Sequence, residues 1–177
     1  MIPRLFAISP GDGRDLGPWL TTLAQAGVRG VILREHGGDL RRLVGTARDA
    51  GFTAVFAHAR HPDAATCGAD GVHLPDDGSD PTTPVWGRST HSPEAARAAV
   101  AAGAALALLS PVWPPTSKPE DRRETLGIAG LLAAGPGPIL ALGGVTPERW
   151  RELRGAGAYG AAVLGGFSDP RDAAAYR

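Results

Sequence analysis

The chain has 177 residues, enough for one domain around one core, and residues 1–177 are expected to form a single domain. Eighteen basic side chains balance 18 acidic ones, so no overall field draws in a phosphate polymer or an anionic membrane, and neither nucleic acid nor membrane is an expected partner. The single cysteine, Cys67, rules out an internal disulfide and a thiolate metal cluster. Together with an N-terminus, MIPRLFAIS, that lacks the pattern of a signal peptide, it points to a cytoplasmic location.

In chain order, short apolar or β-branched runs fall at 5–9, 30–35, 53–58, 71–74, 85–90, 106–112, 139–143 and 161–165, with helix-like stretches between most of them. Alternation of this kind specifies βα units around a parallel sheet, and eight strands close a (β/α)8 TIM barrel. An open doubly wound sheet is the competing arrangement. Ser92-Pro93-Glu94 opens a helix that closes near Gly103, and Thr146-Pro147-Glu148 opens another that closes near Gly155. The stretch 75–84, PDDGSDPTTP, is too rich in Pro, Gly and Asp for a helix. The last helix, 170–177, is short, so the barrel is compact, with one or two reduced helices.

Barrels carry ligand chemistry at the C-terminal ends of their strands, so the polar residues that end each run are the candidates. They are Arg34-Glu35-His36, His58-Ala59-Arg60, His73, Ser89-Thr90-His91 and, after the sixth strand, Thr116-Ser117-Lys118, which holds the only lysine. Arg34 offers a guanidinium fork for a phosphate, and because strand neighbours point to opposite faces, pairing with Glu35 is awkward. His58 and His36 are acid/base candidates, as strand-end histidines expected to titrate near working pH. The last two strands end in glycine pairs, Gly143-Gly144 and Gly165-Gly166, where backbone N–H groups can approach an oxyanion; relief of crowding at tight turns is the alternative.

Other features weigh less. Gly11-Asp12-Gly13 with Gly17 misses dinucleotide-loop spacing and reads as a flexible loop. Trp113 either walls a pocket or packs in the core. Arg41-Arg42, Arg122-Arg123, Arg149, Arg151 and Arg154 read as solvated faces.

The order of these strand ends resembles the thiamine-phosphate synthase/TenI family over residues 5–167. The best-matched pieces are LRE at 33–35, GADGVHL at 68–74, STHS at 89–92, SPVWP at 110–114, Ser117-Lys118, ALGGV at 141–145 and GAAV at 160–163. The resemblance implies a reaction joining an aminopyrimidine pyrophosphate to thiazole phosphate, with Mg²⁺ assisting pyrophosphate departure. It places Arg34, Ser89, Ser117 and Lys118 on the pyrophosphate side, and Gly143, Gly144, Gly165 and Gly166 on the phosphate side. The ligand is then a small phosphorylated heterocycle, thiazole phosphate or thiamine phosphate, and a homodimer is compatible with the family and with the missing helix.

This chain departs from the family pattern at several positions. Q-x-R-x-K becomes Ile32-Leu33-Arg34-Glu35-His36. N-D-R becomes His58-Ala59-Arg60, without a metal-binding aspartate, and the second metal aspartate is replaced by Gly78, with Asp76 and Asp77 as nearby substitutes. Two alternatives therefore accompany the synthase reading: a TenI-type tautomerase that moves a proton without metal, in which Pro111 replaces the family's histidine, and a catalytically silent phosphate-binding barrel.

Overall fold

Each of the eight strands carries three to five residues, and nearly all are buried, as in a sheet covered on both faces. In the computed structural model, which describes residues 1–77, 79–115 and 123–177, they are β1 (Leu5–Ile8), β2 (Gly30–Leu33), β3 (Ala54–His58), β4 (Gly71–Leu74), β5 (Trp86–Thr90), β6 (Leu106–Leu109), β7 (Ile139–Ala141) and β8 (Gly160–Val163). Every neighbouring pair is parallel, and β8 pairs back onto β1, so the sheet is a closed barrel. All eight expected strands are present, and the open-sheet alternative is ruled out.

Helices α1 (Leu16–Gln25), α2 (Leu40–Ala50), α3 (Pro93–Ala101), α4 (Gly127–Ala133) and α5 (Pro147–Gly155) pack on the outside. Their starts follow local chemistry. Asp15, Asp39, Ser92 and Thr146 each turn a side-chain oxygen onto an otherwise unpaired amide of the first turn, and Pro93 and Pro147 follow the last two caps. Among the described residues no helix joins β3 to β4 or β4 to β5, so two connections are reduced. After β8 the chain makes 3-10 turns at Gly165–Phe167 and Pro170–Tyr176, where a short terminal helix was expected. No helix among the described residues is long and apolar enough to cross a membrane.

The period of two along each strand separates two cores. Phe6, Ile8, Ile32, Ala54, Phe56, Leu106, Leu108, Leu140 and Ala162 fill the barrel, while their neighbours pack under the helices. Large side chains in the barrel sit opposite glycines. A β-carbon at Gly30 would lie 2.6 Å from the Phe6 ring, and one at Gly87 would lie 2.9 Å from Leu106 and 3.1 Å from His73 Nδ1. The interior is therefore full toward its N-terminal end, and the cavity is lined by the last one or two inward-facing positions of the strands.

Candidate functional site

That same parity decides which polar side chains face inward. Arg34 follows Ile32 by two residues, His58 follows Phe56, His73 follows Gly71, Ser89 follows Gly87 and Ser110 follows Leu108. All five line one cavity of about 360 Å³, a volume suited to a small phosphorylated ligand. His36, Arg60, Asp76, Asp77, His91, Arg123, Gly143, Gly144, Gly165 and Gly166 line it as well. The expected site residues within the described part of the chain thus meet at one place, whereas Ser117 and Lys118 lie outside the described residues.

Arg34 is set rigidly. Ser9 Oγ accepts its backbone N–H at 2.7 Å while donating to Glu35 Oε1 at 2.6 Å, and the Arg34 Nη2 donates to the Pro10 carbonyl at 2.8 Å. Glu35 is thus occupied by Ser9, and Arg34 Nε, buried, has no partner among the described residues. The loop 11–13 makes this possible: Gly11, at φ +69°, passes so close to the Arg34 carbonyl that a β-carbon would lie 2.7 Å from it. Far from hanging loose, the loop is tied by an Arg14–Asp12 ion pair and by Arg14 donating to the Ser168 carbonyl at 3.0 Å.

Two histidines form the floor. His73 is fully buried, its Nε2 2.9 Å from Ser89 Oγ and its Nδ1 without a partner among the described residues. Burial, and then the neighbouring His58, push its pKa down to about 3. The His58 ring lies 6.0 Å from that of His73, and its Nδ1 accepts the Arg60 backbone N–H at 3.2 Å, which leaves the proton of the neutral ring on Nε2. Desolvation first, followed by Arg60, Arg34 and His36, pushes His58 down to about 4. Titration of His58 near neutrality, expected of an exposed strand end, is therefore displaced by burial beside Arg60 and Arg34.

The wall after β7 and β8 is backbone. Gly143 and Gly144 take φ of +98° and +60°, and a β-carbon at Gly144 would lie 2.5 Å from the Pro114 carbonyl, so crowding by itself requires glycine there. The same turn also faces the cavity, and among the described residues no acceptor takes up the N–H of Gly143, Gly144, Gly165 or Gly166. Tyr176 braces this wall by donating to the Val145 carbonyl at 2.8 Å, and Trp19 Nε1 donates to the Phe167 carbonyl at 2.8 Å.

Several assignments made from sequence need adjusting. Arg149 is not a solvated side chain: it donates to the Gly144 carbonyl at 2.6 Å and stacks on Trp113, 5.2 Å from the ring centroid. Trp113 accordingly packs behind the glycine turn and is not among the cavity-lining residues. Arg123, read as solvated, lies against His91 and lines the cavity. Arg60 and His73, strand-end candidates to which the sequence assigns no role, line the cavity too, as does Ser110, which lies outside that set. Counting by twos from the buried residues of β4 and β6 puts His73 and Ser110 on the inward face, whereas Arg60 and Arg123 come from connections that no periodicity describes.

Fold and site together define a (β/α)8 barrel protein with its cavity at the C-terminal strand ends. The family model for thiamine monophosphate synthase matches residues 5–167, and the chain belongs to that family. It is similar to the thiamine-phosphate synthase of Chromobacterium violaceum, 32% identical over 196 residues covering 99% of this chain and 94% of the relative. It is also similar to that of Salinibacter ruber, 31% identical over 171 residues covering 85% and 75%. In fold it is similar to the thiamine phosphate pyrophosphorylase from Pyrococcus furiosus, with a TM-score of 0.79 at 21% identity, covering 98% of this chain and 92% of that one.

The family resemblance implies Mg²⁺, but the residues present do not suit it. Magnesium takes near-octahedral oxygen ligands, usually one or two carboxylates plus phosphates. Among the described residues no group of three His, Cys, Asp or Glu side chains could hold a metal. Asp77 Oδ1 already accepts from Ser79 N at 3.1 Å and Oγ at 2.7 Å, and Asp76 Oδ2 lies 3.7 Å from His91 Nε2. The wall beside them carries His58 and Arg60 in place of carboxylates.

Proposed function

We propose that the protein acts in thiamine biosynthesis in the cytoplasm, joining an aminopyrimidine pyrophosphate to a phosphorylated thiazole to give thiamine phosphate and pyrophosphate. Family membership supports this reading. The observation that carries it is that one cavity has two unlike anion-receptive ends: the amides of Gly143, Gly144, Gly165 and Gly166, without an acceptor among the described residues, on one wall and the guanidinium of Arg34 on another. A substrate pair with one phosphate and one pyrophosphate needs both ends.

In the reaction the bond from the pyrimidine methylene carbon to a pyrophosphate oxygen breaks, and its electron pair leaves on that oxygen. The thiazole ring nitrogen supplies the lone pair for the new C–N bond, so no net proton transfer is required. Arg34 and Ser89 act on the departing group, as do Ser117 and Lys118 by family resemblance. The glycine amides hold the thiazole phosphate and fix the attacking nitrogen in line. His58, neutral with its proton on Nε2, serves as a hydrogen-bond donor and not as the acid its position first suggests. His36 stands beside it at the rim. The tautomerase reading would call for a base that titrates near neutrality, and the two histidines on the cavity floor are pushed far below that.

The test is direct coupling: the purified chain, given both substrates in a magnesium buffer, should form thiamine phosphate and release pyrophosphate in equal amounts. Tight binding of thiazole phosphate with no coupled product would overturn the transferase reading in favour of a silent barrel. Tautomer conversion without coupling would favour the isomerase.

A further inference from the structure

The charge on the cavity wall around β2, β3 and the turn after β4 is the reverse of what a divalent cation requires. Arg34 and Arg60 both line it, and among the described residues neither lies within ion-pair distance of a carboxylate. Arg34 is locked by its Nη2 bond to Pro10 and by Ser9 on its backbone, so its buried Nε cannot swing away to find a partner elsewhere. Both carboxylates of that wall, Asp76 and Asp77, are exposed on the rim, and each has a neighbour, His91 for one and Ser79 for the other. The chain carries no net charge, so this cationic concentration is local to the cavity.

A buried guanidinium nitrogen without an acceptor is costly unless an acceptor arrives, and the acceptor that suits its planar fork is a phosphate oxygen. A divalent cation brought to the same wall would meet the held Arg34 and the exposed Arg60, with no free carboxylate set among the described residues. Arginine, which stays protonated throughout, can take the growing charge of a departing pyrophosphate through hydrogen bonds without losing a proton.

Building on the transferase reading above, we propose that this chain binds the pyrophosphate group of its substrate with Arg34 and Arg60 in place of a divalent cation. It is thus a metal-independent pyrophosphate site within a family whose pattern implies a metal-dependent one. The departing electron pair is stabilised by guanidinium N–H donors, and the two rim carboxylates oppose the ligand; they do not help to hold it.

The experiment is calorimetric titration of inorganic pyrophosphate into the full chain, once in excess EDTA and once in excess magnesium. Affinity should agree between the two within about twofold, and Arg34→Gln and Arg60→Gln should each weaken it about tenfold in EDTA. The carboxylates supply a test of sign: Asp77→Asn and Asp76→Asn remove repulsion and should tighten binding in either buffer, whereas at a metal site they would weaken it in magnesium. Tenfold or greater tightening by magnesium, or loss of binding in the aspartate variants, overturns metal independence while leaving the transferase reading intact. Absence of pyrophosphate binding in both buffers, with thiazole phosphate still bound, overturns the transferase reading and this inference with it.

Discussion

His73 Nε2 and Ser89 Oγ lie 2.9 Å apart on adjacent strands, and this is the only hydrogen bond that the fully buried His73 ring makes among the described residues. The register of β4 and β5 places His73 beside Gly87, whose missing β-carbon leaves room for the ring, and Ser89 comes two residues later on the same face. The histidine therefore fixes the direction of the Ser89 hydroxyl at the cavity floor. Ser89→Ala would leave both ring nitrogens unsatisfied, and a stability loss of about 1–3 kcal/mol is expected from urea denaturation. Unchanged stability would mean that the ring finds another partner.

The buried histidines also set a pH dependence. Folding lowers His73 from 6.5 to about 3 and His58 from 6.5 to about 4, so between those values the unfolded chain binds more protons than the folded one. Stability must then fall as pH drops below about 6.5 and continue falling toward 3, and it must gain nothing from these groups above neutrality. For His73 the loss is on the order of a few kcal/mol. His73→Asn should flatten the slope of urea midpoint against pH in that window, and an equally steep slope in the variant would show that other groups dominate acid unfolding.

The two glycine turns separate into different roles on substitution. Gly144→Ala sets a β-carbon 2.5 Å from the Pro114 carbonyl at a φ of +60°, and should cost about 1–3 kcal/mol of stability. Gly165→Asp places a carboxylate at the cavity wall, where it should abolish binding of thiazole phosphate through repulsion and lost amide access, with the fold largely kept by circular dichroism. Undiminished phosphate affinity in the aspartate variant would remove the glycine turns from the ligand site.

Much of this could be read from residues alone, for a physical reason. Strands buried on both faces write themselves as apolar runs, so all eight appear in the sequence, and the same period of two assigns Arg34, His58 and Ser89 to one side of the wall. What a period cannot convey is the path of a turn. Arg60 and Arg123 reach the cavity from connections without regular structure, and Arg149 turns back onto the Gly144 carbonyl because Trp113 offers its guanidinium a ring face. The lowered pKa of His58 escapes the sequence for a related reason: a strand end suggests exposure, but burial and the neighbouring Arg60 and Arg34 depend on how other segments close over it. The absent helix after β3 leaves no mark either, because the stretch 59–70 lacks the Pro and Gly density that exposes the loop after β4.

Tyr176, two residues into no motif, gives the most economical check on how the phosphate wall is held. Its hydroxyl donates to the Val145 carbonyl at 2.8 Å, its ring packs edge-on against Phe167 at 5.0 Å, and a β-carbon at Gly166 would lie 2.6 Å from the same oxygen. The residue thus joins the turn after β7 to the turn after β8. Tyr176→Phe keeps the ring and deletes only the hydroxyl, leaving a buried carbonyl short of a donor, and should cost about 1–2 kcal/mol of stability. If the two turns form one phosphate-binding wall, the same variant should weaken thiazole phosphate several-fold while leaving inorganic pyrophosphate affinity unchanged, because Arg34 and Arg60 follow β2 and β3 and not β7 and β8. Equal weakening of both ligands would show that the hydroxyl supports the fold as a whole, and no weakening of either would show that the wall is held without it.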